Sequence, residues 1–505
     1  MNCQRLLFIS FLLFSSLSTI AQKETYNWYF GRNAGINFSS GKPVALTDGA
    51  LSTEEGCVSI SDKNGKLLFY TDGITAWKAD HQKLPYGDSL MGNPSSTQSG
   101  VVIPKPKSDN EFYLFTLASV GGSDGFRYSI VDMNANGGNG TVDPSRKNVL
   151  LHTPVTEKLT AVKHRNNIDT WVIAHGWNSN EFLSFLVSPT GISTKPFISA
   201  VGSVHSGGTV NTQGYMKANP DGTNLALALE DSNLFELFDF DNVTGLVSHP
   251  ITMRLSNGAY PYGVEFSSDG SLLYGSAAGK GEIYQYNLQA GSPEKILASA
   301  TIVGKSPEGK WVGALQIAAD GKIYYPIYGT PYLGVIHEPN KLGMDCRVEN
   351  NYVFLENKNS QLGLPGFDQS YFTQDQTKSV KYFDQTKVEI GKKLILNNIN
   401  FDYAKYNLKA ISFVELDQVV KILKTNPKLS IELLGHTDNI GNKSFNIELS
   451  KNRTESVKQY LVSKGIVPEK IAYEGFGSSR PIANNTSEAG RAKNRRVEFV
   501  FIEEK

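Results

Sequence analysis

The residues best suited to acid–base chemistry lie scattered between positions 164 and 265. His164, His175, His205, Asp231 and Glu265 could each transfer a proton, as the residues of a glycan lyase or hydrolase do. No recognisable motif places these five residues in order. A glycan-active enzyme is therefore the alternative interpretation, and a protein without catalytic activity is favoured.

A second group of polar residues is closely spaced near the C-terminus. Asp438 ends the segment GHTD, and Arg453 follows fifteen residues later. Taken alone, Asp438 could begin a turn, and Arg453 could pair with Glu448 or Glu455 on one helix face. His436 has no Ser or Cys nucleophile motif beside it, so we interpret it as a structural hydrogen-bonding residue.

Alternating strand and helix patterns surround this second group. Apolar residues recur at helical spacing before Pro427, and Gly465 ends a second helical pattern. The second helix should present Phe445, Leu449 and Val457 on its apolar face, together with Tyr460 and Leu461. The sequence predicts a small α/β sandwich with strands at 396–403, 429–438, 471–477 and 495–503 and helices at 408–423 and 444–464.

Three segments of this region resemble the peptidoglycan-binding domain of OmpA-like proteins, the family that includes the C-terminal domains of OmpA, MotB and Pal. They are NINFDYAKYNLKA, IELLGHTDNIGNKSFNIELSKNRTESVKQYL and YEGFGSSRPIANNTSEAGRAKNRRVEFVF, in that order. The resemblance implies an OmpA-like fold over residues 394–505 and non-covalent binding to peptidoglycan.

The resemblance also implies the binding residues. Asp438 and Arg453 match the family residues that hold the diaminopimelate of the wall peptide, and Asn446 and Asp402 match polar residues near that ligand. A carboxylate can accept hydrogen bonds from the ligand ammonium, while a guanidinium binds its carboxylate through two parallel bonds. Ala404 replaces a polar residue that the family often has, which removes one side-chain contact.

Charge separates the two parts of the chain, although the whole carries 49 basic and 49 acidic residues. Residues 380–505 contain 21 Lys and Arg against 15 Asp and Glu, a net charge of +6. An anionic wall polymer is the expected partner and nucleic acid is not, while a solvated charged surface stays open. Arg491, Arg495 and Arg496 are expected to brace the fold or add positive potential, with direct ligand contact as the lesser interpretation.

Residues 26–372 consist of short strand-like runs separated by turns, which indicates an all-β architecture. A unit of an apolar run, a turn and two further apolar runs recurs about 50 residues apart, a spacing typical of β-propellers. We recognise it at 59–73, 101–118, 161–177, 216–230, 264–277 and 315–329. We predict about seven blades, the last combining residues 28–30 with 352–355. The turn residues Asp62, Asn64 and Asp72 match no complete calcium motif, so they are expected to serve as turns.

The same region resembles a propeller-like module common in exported proteins of the Bacteroidetes. The stretches that carry the likeness are NWYFGRNAGINF, EGCVSISDKNGKLLFYTDG, SSTQSGVVIPKP and LGLPGFDQSYF. The module occurs beside diverse cell-surface and secretion-linked domains, so it implies a fold and not an activity. We expect it to bind an outer-membrane or periplasmic protein or a glycan, and a role in a secretion or gliding assembly is one form of this hypothesis.

The first residues predict export. Arg5 precedes an apolar run at 6–17, and Ala21 lies where a signal peptidase could cleave. This run is shorter than the ~20 apolar residues that a membrane-spanning helix needs, and no other segment is longer. We expect a signal peptide (1–21), a propeller-like domain (22–372), a linker (373–393) and the OmpA-like domain (394–505), located in the periplasm.

Two cysteines remain after the predicted cleavage. Cys57 and Cys346 are too few for a disulfide scaffold, and they lack the spacing of metal ligands, so no metal or other cofactor is expected. In an oxidising periplasm they could pair. If they flank the closure of a propeller, a disulfide would join its first and last blades.

Overall fold

The computed structural model describes residues 23–372, 390–391, 393–396, 410–486 and 488–503. The predicted signal peptide, most of the predicted linker, Asp402 and Ala404 lie outside these residues. We call residues 23–372 the N-terminal region and residues 390–503 the C-terminal region.

The N-terminal region contains seven antiparallel sheets whose strands mostly follow chain order. Sheet 1 comprises β1 (Asn27–Phe30), β2 (Ala34–Asn37) and β3 (Val44–Leu46), and sheet 2 comprises β4 (Val58–Ser61), β5 (Leu67–Thr71) and β6 (Ala76–Lys78). Sheet 3 comprises β7 (Gly100–Pro104), β8 (Glu111–Leu117), β9 (Phe126–Asp132), β10 (Thr141–Val142) and β11 (Val149–His152). Sheet 4 comprises β12 (Val155–Lys163), β13 (Thr170–Gly176), β14 (Ser179–Ser188), β15 (Gly191–Ile192) and β16 (Phe197–His205).

The last three sheets are four-stranded meanders. Sheet 5 comprises β17 (Met216–Ala218), β18 (Asn224–Leu229), β19 (Leu234–Asp241) and β20 (Leu246–Arg254). Sheet 6 comprises β21 (Pro261–Phe266), β22 (Leu272–Ala277), β23 (Glu282–Asn287) and β24 (Thr301–Lys305). Sheet 7 comprises β25 (Gln316–Ile317), β26 (Ile323–Pro326), β27 (Tyr332–Ile336) and β28 (Val348–Phe354), and two short helices, α1 (Ala135–Gly138) and α2 (Pro293–Ala298), lie outside the sheets.

Each of the six predicted repeat units forms the first hairpin of its own sheet, from sheet 2 to sheet 7. Turn glycines such as Gly222 and Gly270 have φ angles of 70° and 69°, which other residues adopt at a cost. Asp62 and Asp72 each accept backbone hydrogen bonds within a separate turn, as expected for turn residues. The recurrence in the sequence therefore corresponds to a structural repeat.

Neighbouring sheets contact each other in chain order. Contacts join β1 to β4, β4 to β7, β7 to β12, β12 to β17, β18 to β21 and β24 to β28. Sheet 7 also contacts sheet 1, through β28 and β3. The first and last sheets of the N-terminal region are thus neighbours.

The predicted pairing of residues 28–30 with 352–355 is wrong. Strand β1 pairs with β2, and β28 pairs with β27. The tight turn at Gly31 and Asn33, both with φ of 55°, lets the N-terminal residues fold back into a sheet of their own. The two ends of the region meet instead at an isolated bridge between Arg32 and Asn359.

The segment 359–372 contacts residues from most of the sheets. It contains LGLPGFDQSYF, one of the stretches that resemble the Bacteroidetes module. Its backbone contacts are Asn359 O with Arg32 N (2.9 Å), Leu362 O with Ala314 N (2.8 Å), Gly366 N with Cys57 O (3.0 Å), and a parallel bridge between Asp368 and Ala161. The Tyr215 hydroxyl also donates to Leu364 O at 3.4 Å.

Two glycines permit this close approach. A Cβ atom at Gly363 would lie 1.6 Å from the Glu55 carbonyl oxygen, and one at Gly313 would lie 2.1 Å from the Leu362 carbonyl oxygen. Both distances are far inside van der Waals contact, and in each case the obstructing atom belongs to the backbone. Neither position therefore tolerates a side chain without backbone movement.

We expect Gly363→Ala to destabilise the N-terminal region by about 1–3 kcal/mol or more, since the new methyl group must displace the backbone of Glu55. Thermal unfolding of the purified protein measures the effect. Gly208→Ala is the matched control, because its φ is −64° and its nearest neighbour would be Asp231 Oδ2 at 3.6 Å. Equal midpoints for the two variants would contradict the packing described here.

The predicted disulfide is absent: Cys57 and Cys346 are both buried free thiols. Cys57 directly precedes β4 of sheet 2. Cys346 follows β27 of sheet 7 and lies beside the hydroxyl of Tyr274 in sheet 6. Because sheet 1 lies between sheets 7 and 2 in the order of contacts, the two cysteines are not on adjacent sheets.

The described residues of the C-terminal region form one mixed sheet and three helices. The elements are β29 (Lys393–Leu396), α3 (Ala410–Thr425), β30 (Leu429–Gly435), α4 (Lys443–Ser463), β31 (Ile471–Gly475), α5 (Glu488–Asn494) and β32 (Val497–Glu503). The sheet order is β29–β32–β30–β31, with β30 parallel to β31 and the other pairs antiparallel. Apolar residues of α3, α4 and the strands form its core.

Most predicted elements of this region are confirmed, within a few residues at their ends. The predicted first strand, 396–403, lies outside the described residues except for Leu396, the last residue of β29. Helix α5 was not predicted, since its seven residues EAGRAKN carry little apolar periodicity. Among the helices in the described part of the chain, none combines the length and apolar composition needed to cross a membrane.

Candidate functional site

The first half of helix α4 buries polar residues against the sheet. Asn446, Ser450, Arg453 and Thr454 are buried, whereas the side chain of Phe445 is 47% exposed. The predicted apolar face is therefore wrong at Phe445 in this half of the helix. It is confirmed in the second half, where Val457 and Leu461 are buried and Tyr460 packs against the same core.

The short distance between α4 and the strands explains why the buried residues in the first half of the helix are polar and not large and apolar. A Cβ atom at Gly435 of β30 would lie 2.3 Å from the Ser450 carbonyl oxygen, and one at Gly475 of β31 would lie 2.4 Å from the Lys451 nitrogen. The Ser450 hydroxyl also accepts a hydrogen bond from Gly477 N at 2.9 Å. Large apolar side chains on this face would push the helix away from the ends of β30 and β31.

Asp438 lies in the loop between β30 and α4, directly beyond the end of the strand. Its side chain is almost fully buried, and its Oδ1 accepts a hydrogen bond from Ile440 N at 3.0 Å. Backbone bonds from His436 N to Arg496 O and from Thr437 N to Gly477 O, each 2.9 Å, fix the preceding residues. The carboxylate is therefore held in one position by the strand end and the loop.

Arg495 is a site residue that the sequence interpretation assigned to fold bracing or general positive potential. Its Nη1 donates to Asp438 Oδ2 at 2.7 Å, and a third of its side chain stays exposed. The two residues are 57 positions apart in the chain. The only feature of the sequence that indicated this pair was the basic segment NRRVEF. That segment predicts positive charge near the site, but it does not show which of its arginines contacts Asp438.

Arg453 lies in the same electrostatic environment. Its side chain is only 4% exposed, and its pKa is lowered to about 10 by burial and by the positive charge of Arg495, with Asp438 opposing the shift. The site thus combines one carboxylate with two guanidinium groups. Its excess positive charge suits an anionic group, while Asp438 can accept hydrogen bonds from a cationic one.

Asn446 orders the loop that carries Asp438. Its side-chain amide donates to Ile440 O at 3.0 Å and to Asp438 O at 3.5 Å, and the residue is buried. Both hydrogen bonds go to backbone carbonyl oxygens of the loop, so Asn446 positions Asp438 through the backbone and not through its carboxylate. Direct contact between Asn446 and a ligand stays a prediction.

His436 and Arg496 support the strand ends beneath the loop. Arg496 Nε donates to Glu498 Oε1 at 2.8 Å, and both residues are buried. His436 stacks on Phe476, with ring centroids 5.7 Å apart, and burial together with Arg496 lowers its pKa to about 4. Arg491 Nη1 donates to Asn485 O at 3.0 Å, so it too braces a loop.

The two arginines of the NRRVEF segment should differ in their effect on stability. We expect Arg496→Ala to lower the free energy of unfolding by about 3–5 kcal/mol, because it leaves the buried Glu498 carboxylate without its guanidinium partner and with only the His436 imidazole 3.6 Å away. Arg495→Ala should cost about 1 kcal/mol or less, since its pair with Asp438 is partly exposed to solvent. Urea denaturation of residues 380–505 tests this, and equal losses for both variants would contradict the assignment.

The five acid–base candidates of the N-terminal region do not form one site. His175 and His205 stack with centroids 3.7 Å apart, and both are buried. His164 is hydrogen-bonded to Asn166 N and lies 3.1 Å from Val243 O. Asp231 is exposed in a loop, and Glu265 accepts from Lys217 at 3.3 Å in a separate buried network.

Residues 400–495 match the OmpA family. Asp438, Asn446, Arg453 and Arg495 all fall within the matched residues. The likeness stated from the sequence motifs is thereby confirmed for the C-terminal domain. The match covers less than a quarter of the chain, so it concerns this domain alone.

Several known proteins are similar over the same part of the chain. Outer membrane porin F of Pseudomonas fluorescens is 42% identical over 101 residues, which cover 20% of this chain and 31% of the porin. Outer membrane protein A of Bordetella avium is 42% identical over 114 residues, which cover 22% of this chain and 59% of that protein. The peptidoglycan-binding protein ArfA of Mycobacterium bovis is 46% identical over 85 residues, which cover 17% of this chain and 26% of ArfA.

Among solved structures, the peptidoglycan-associated lipoprotein of Burkholderia pseudomallei is 29% identical. The alignment covers 20% of this chain and 87% of that structure, with a TM-score of 0.20. The chain thus spans between a quarter and three fifths of the length of the three curated relatives named above.

Proposed function

We propose that the C-terminal domain anchors the protein non-covalently to peptidoglycan by binding the diaminopimelate of the wall peptide. The proposal rests on Asp438 and Arg453, two buried residues of opposite charge that interact electrostatically within a domain that matches the OmpA family. One similar protein, ArfA, is itself described as peptidoglycan-binding.

The chemistry of the ligand fits these two groups. The free end of the diaminopimelate side chain carries an ammonium and a carboxylate. Asp438 accepts from the ammonium, and Arg453 binds the carboxylate through a forked pair of hydrogen bonds. Arg495, which pairs with Asp438 without ligand, must then share that carboxylate or release it. Asp402, by its match to the family, is a further proposed contact.

We expect Asp438→Ala and Arg453→Ala each to abolish most binding of residues 380–505 to peptidoglycan. Each change leaves one half of the zwitterion unpaired, which typically costs about 2–5 kcal/mol, or roughly 30- to 5000-fold in affinity. Arg453→Lys keeps the charge but loses the forked geometry, so its affinity should fall between wild type and Arg453→Ala. Co-sedimentation with purified sacculi measures the binding.

Circular dichroism establishes that each variant is folded before its binding is compared. The matched control is Arg480→Ala, because Arg480 stacks on Phe476 and forms no ion pair with Asp438 in the described residues. A folded Asp438→Ala/Arg453→Ala double variant that sediments like wild type would mean that the basic surface holds the wall, and the proposed pocket would be wrong.

For the N-terminal region we propose a closed seven-bladed propeller over residues 22–372, joined by a linker (373–393) to the OmpA-like domain (394–505). The contacts between successive sheets, and between sheets 7 and 1, support this architecture. The propeller presents a rigid surface to an outer-membrane or periplasmic protein or to a glycan. We further propose that this partner belongs to a secretion or gliding assembly of the Bacteroidetes envelope.

Export to the periplasm should remove the signal peptide after Ala21. N-terminal sequencing of the protein purified from the cell envelope should therefore begin at Gln22. Envelope extracts should also yield a partner that co-purifies with the N-terminal region and persists in the Arg453→Ala variant. A retained Met1 would argue against the periplasmic location.

A further inference from the structure

We propose that the N-terminal region contains a second ligand site, formed by Glu55, Glu157, Glu230 and Tyr262, that takes a primary ammonium group. None of these residues belongs to the wall-binding site of the C-terminal domain. Their arrangement, their unsatisfied polar atoms and the exposed aromatic residues on the same edge of the sheets support the site.

Four different sheets contribute to this group. Glu55 lies three residues before β4, while Glu157 and Tyr262 lie near the first residues of β12 and β21. Glu230 follows β18, which is antiparallel to β17, so it lies beside the start of that sheet. All four residues therefore lie at the edge where the first strands of sheets 2, 4, 5 and 6 begin.

Three polar atoms of the group have no hydrogen-bond partner among the described residues. They are Glu55 Oε2, Glu230 Oε2 and Tyr262 Oη, and each residue is more than nine-tenths buried. The Tyr262 hydroxyl lies beside the Glu55 carboxyl and acts on its pKa. A buried polar atom without a partner is costly, which points to a group that the protein binds there.

Glu157 differs from the other two carboxylates because its own bonds fix it. It accepts from Thr97 N and Val120 N, each at 2.8 Å, and from the hydroxyls of Thr97 at 3.0 Å and Thr212 at 3.3 Å. Charge-assisted bonds of this kind stabilise the ionised form. Glu157 thus lies beside Glu55 and Glu230 with both of its carboxylate oxygens hydrogen-bonded.

The nearby cation does not satisfy these carboxylates directly. Lys158 donates to the carbonyl oxygens of Thr212, at 3.1 Å, and Gln213. Burial and the charges of Glu157 and Glu230 raise the pKa of Glu55 to about 8. Burial also raises the pKa of Glu230 to about 7, with Lys158 opposing the shift. The four residues thus combine hydrogen-bond acceptors that have no donor among the described residues with a negative electrostatic potential.

A primary ammonium group matches these properties. It has three N–H donors and no acceptor, and the group offers three unsatisfied oxygens that can accept. Its positive charge also offsets the repulsion among the carboxylates, which a neutral hydroxyl cannot do. The ammonium can come from a small amine or from a lysine side chain of another protein.

Exposed aromatic residues on the same edge could contact the rest of such a ligand. Tyr260 precedes β21, and Trp311 lies before β25 with 43% of its surface exposed. Their rings are 6.4 Å apart and tilted by 32°. Aromatic faces attract cations and also pack against the alkyl chain of an amine.

Isothermal titration of the full-length protein with two amines tests the site. The probes are 1,4-diaminobutane and N-acetyl-lysinamide, with N-acetyl-norleucinamide and methyl glucoside as controls. We expect saturable binding of the amines only, and Glu55→Gln or Glu230→Gln should weaken it roughly 10-fold or more. Glu181→Gln, on the third strand of sheet 4, is the matched control and should not change it.

A second variant and a comparison of the two amines complete the test. If the glutamine variants fail to fold, Tyr262→Phe retains every charge, removes one acceptor and should still weaken binding several-fold, about 3-fold or more. Tighter binding of the lysine derivative assigns the ligand to a protein, and tighter binding of the diamine assigns it to a small molecule. Equal binding of the norleucine control, binding of methyl glucoside alone, or no binding of either amine would overturn the proposal.

Discussion

The close contact between helix α4 and the ends of β30 and β31 determines the geometry of the candidate wall-binding site. Gly435 and Gly475 leave no room for a side chain, so the helix backbone approaches the sheet at Ser450 and Lys451. Arg453, one turn further along, is then buried beside the loop that follows β30. A displaced helix would move this guanidinium relative to Asp438, with which it interacts electrostatically.

The same physical principle operates in the N-terminal region. Backbone-to-backbone contacts at Gly363 and Gly313 allow the segment 359–372 to reach several sheets at once. Rigid sheets position the loops at their edges, as loops on a rigid scaffold often carry function. The Glu55 carboxyl depends directly on this packing, because its own carbonyl oxygen lies against Gly363.

Sequence periodicity predicted the elements well, because alternating and helical patterns reflect burial on one face. It identified six hairpins and the helices α3 and α4, but it failed where polar residues are buried, as at Asn446 and Arg453. The Asp438–Arg495 pair joins residues far apart in the chain, and no local pattern encodes such a contact. The predicted disulfide failed because it depended on which sheet closes the region, and the N-terminal residues form a sheet of their own.

The family likeness located Asp438 and Arg453, while the structure added Arg495 as the residue that pairs with Asp438. The most direct test of this account is a crystal structure of residues 380–505 with meso-diaminopimelate. We predict the ligand ammonium within about 3 Å of an Asp438 oxygen and its carboxylate on the Arg453 guanidinium. A ligand bound elsewhere on the basic surface, with the Asp438–Arg495 pair undisturbed, would contradict the account.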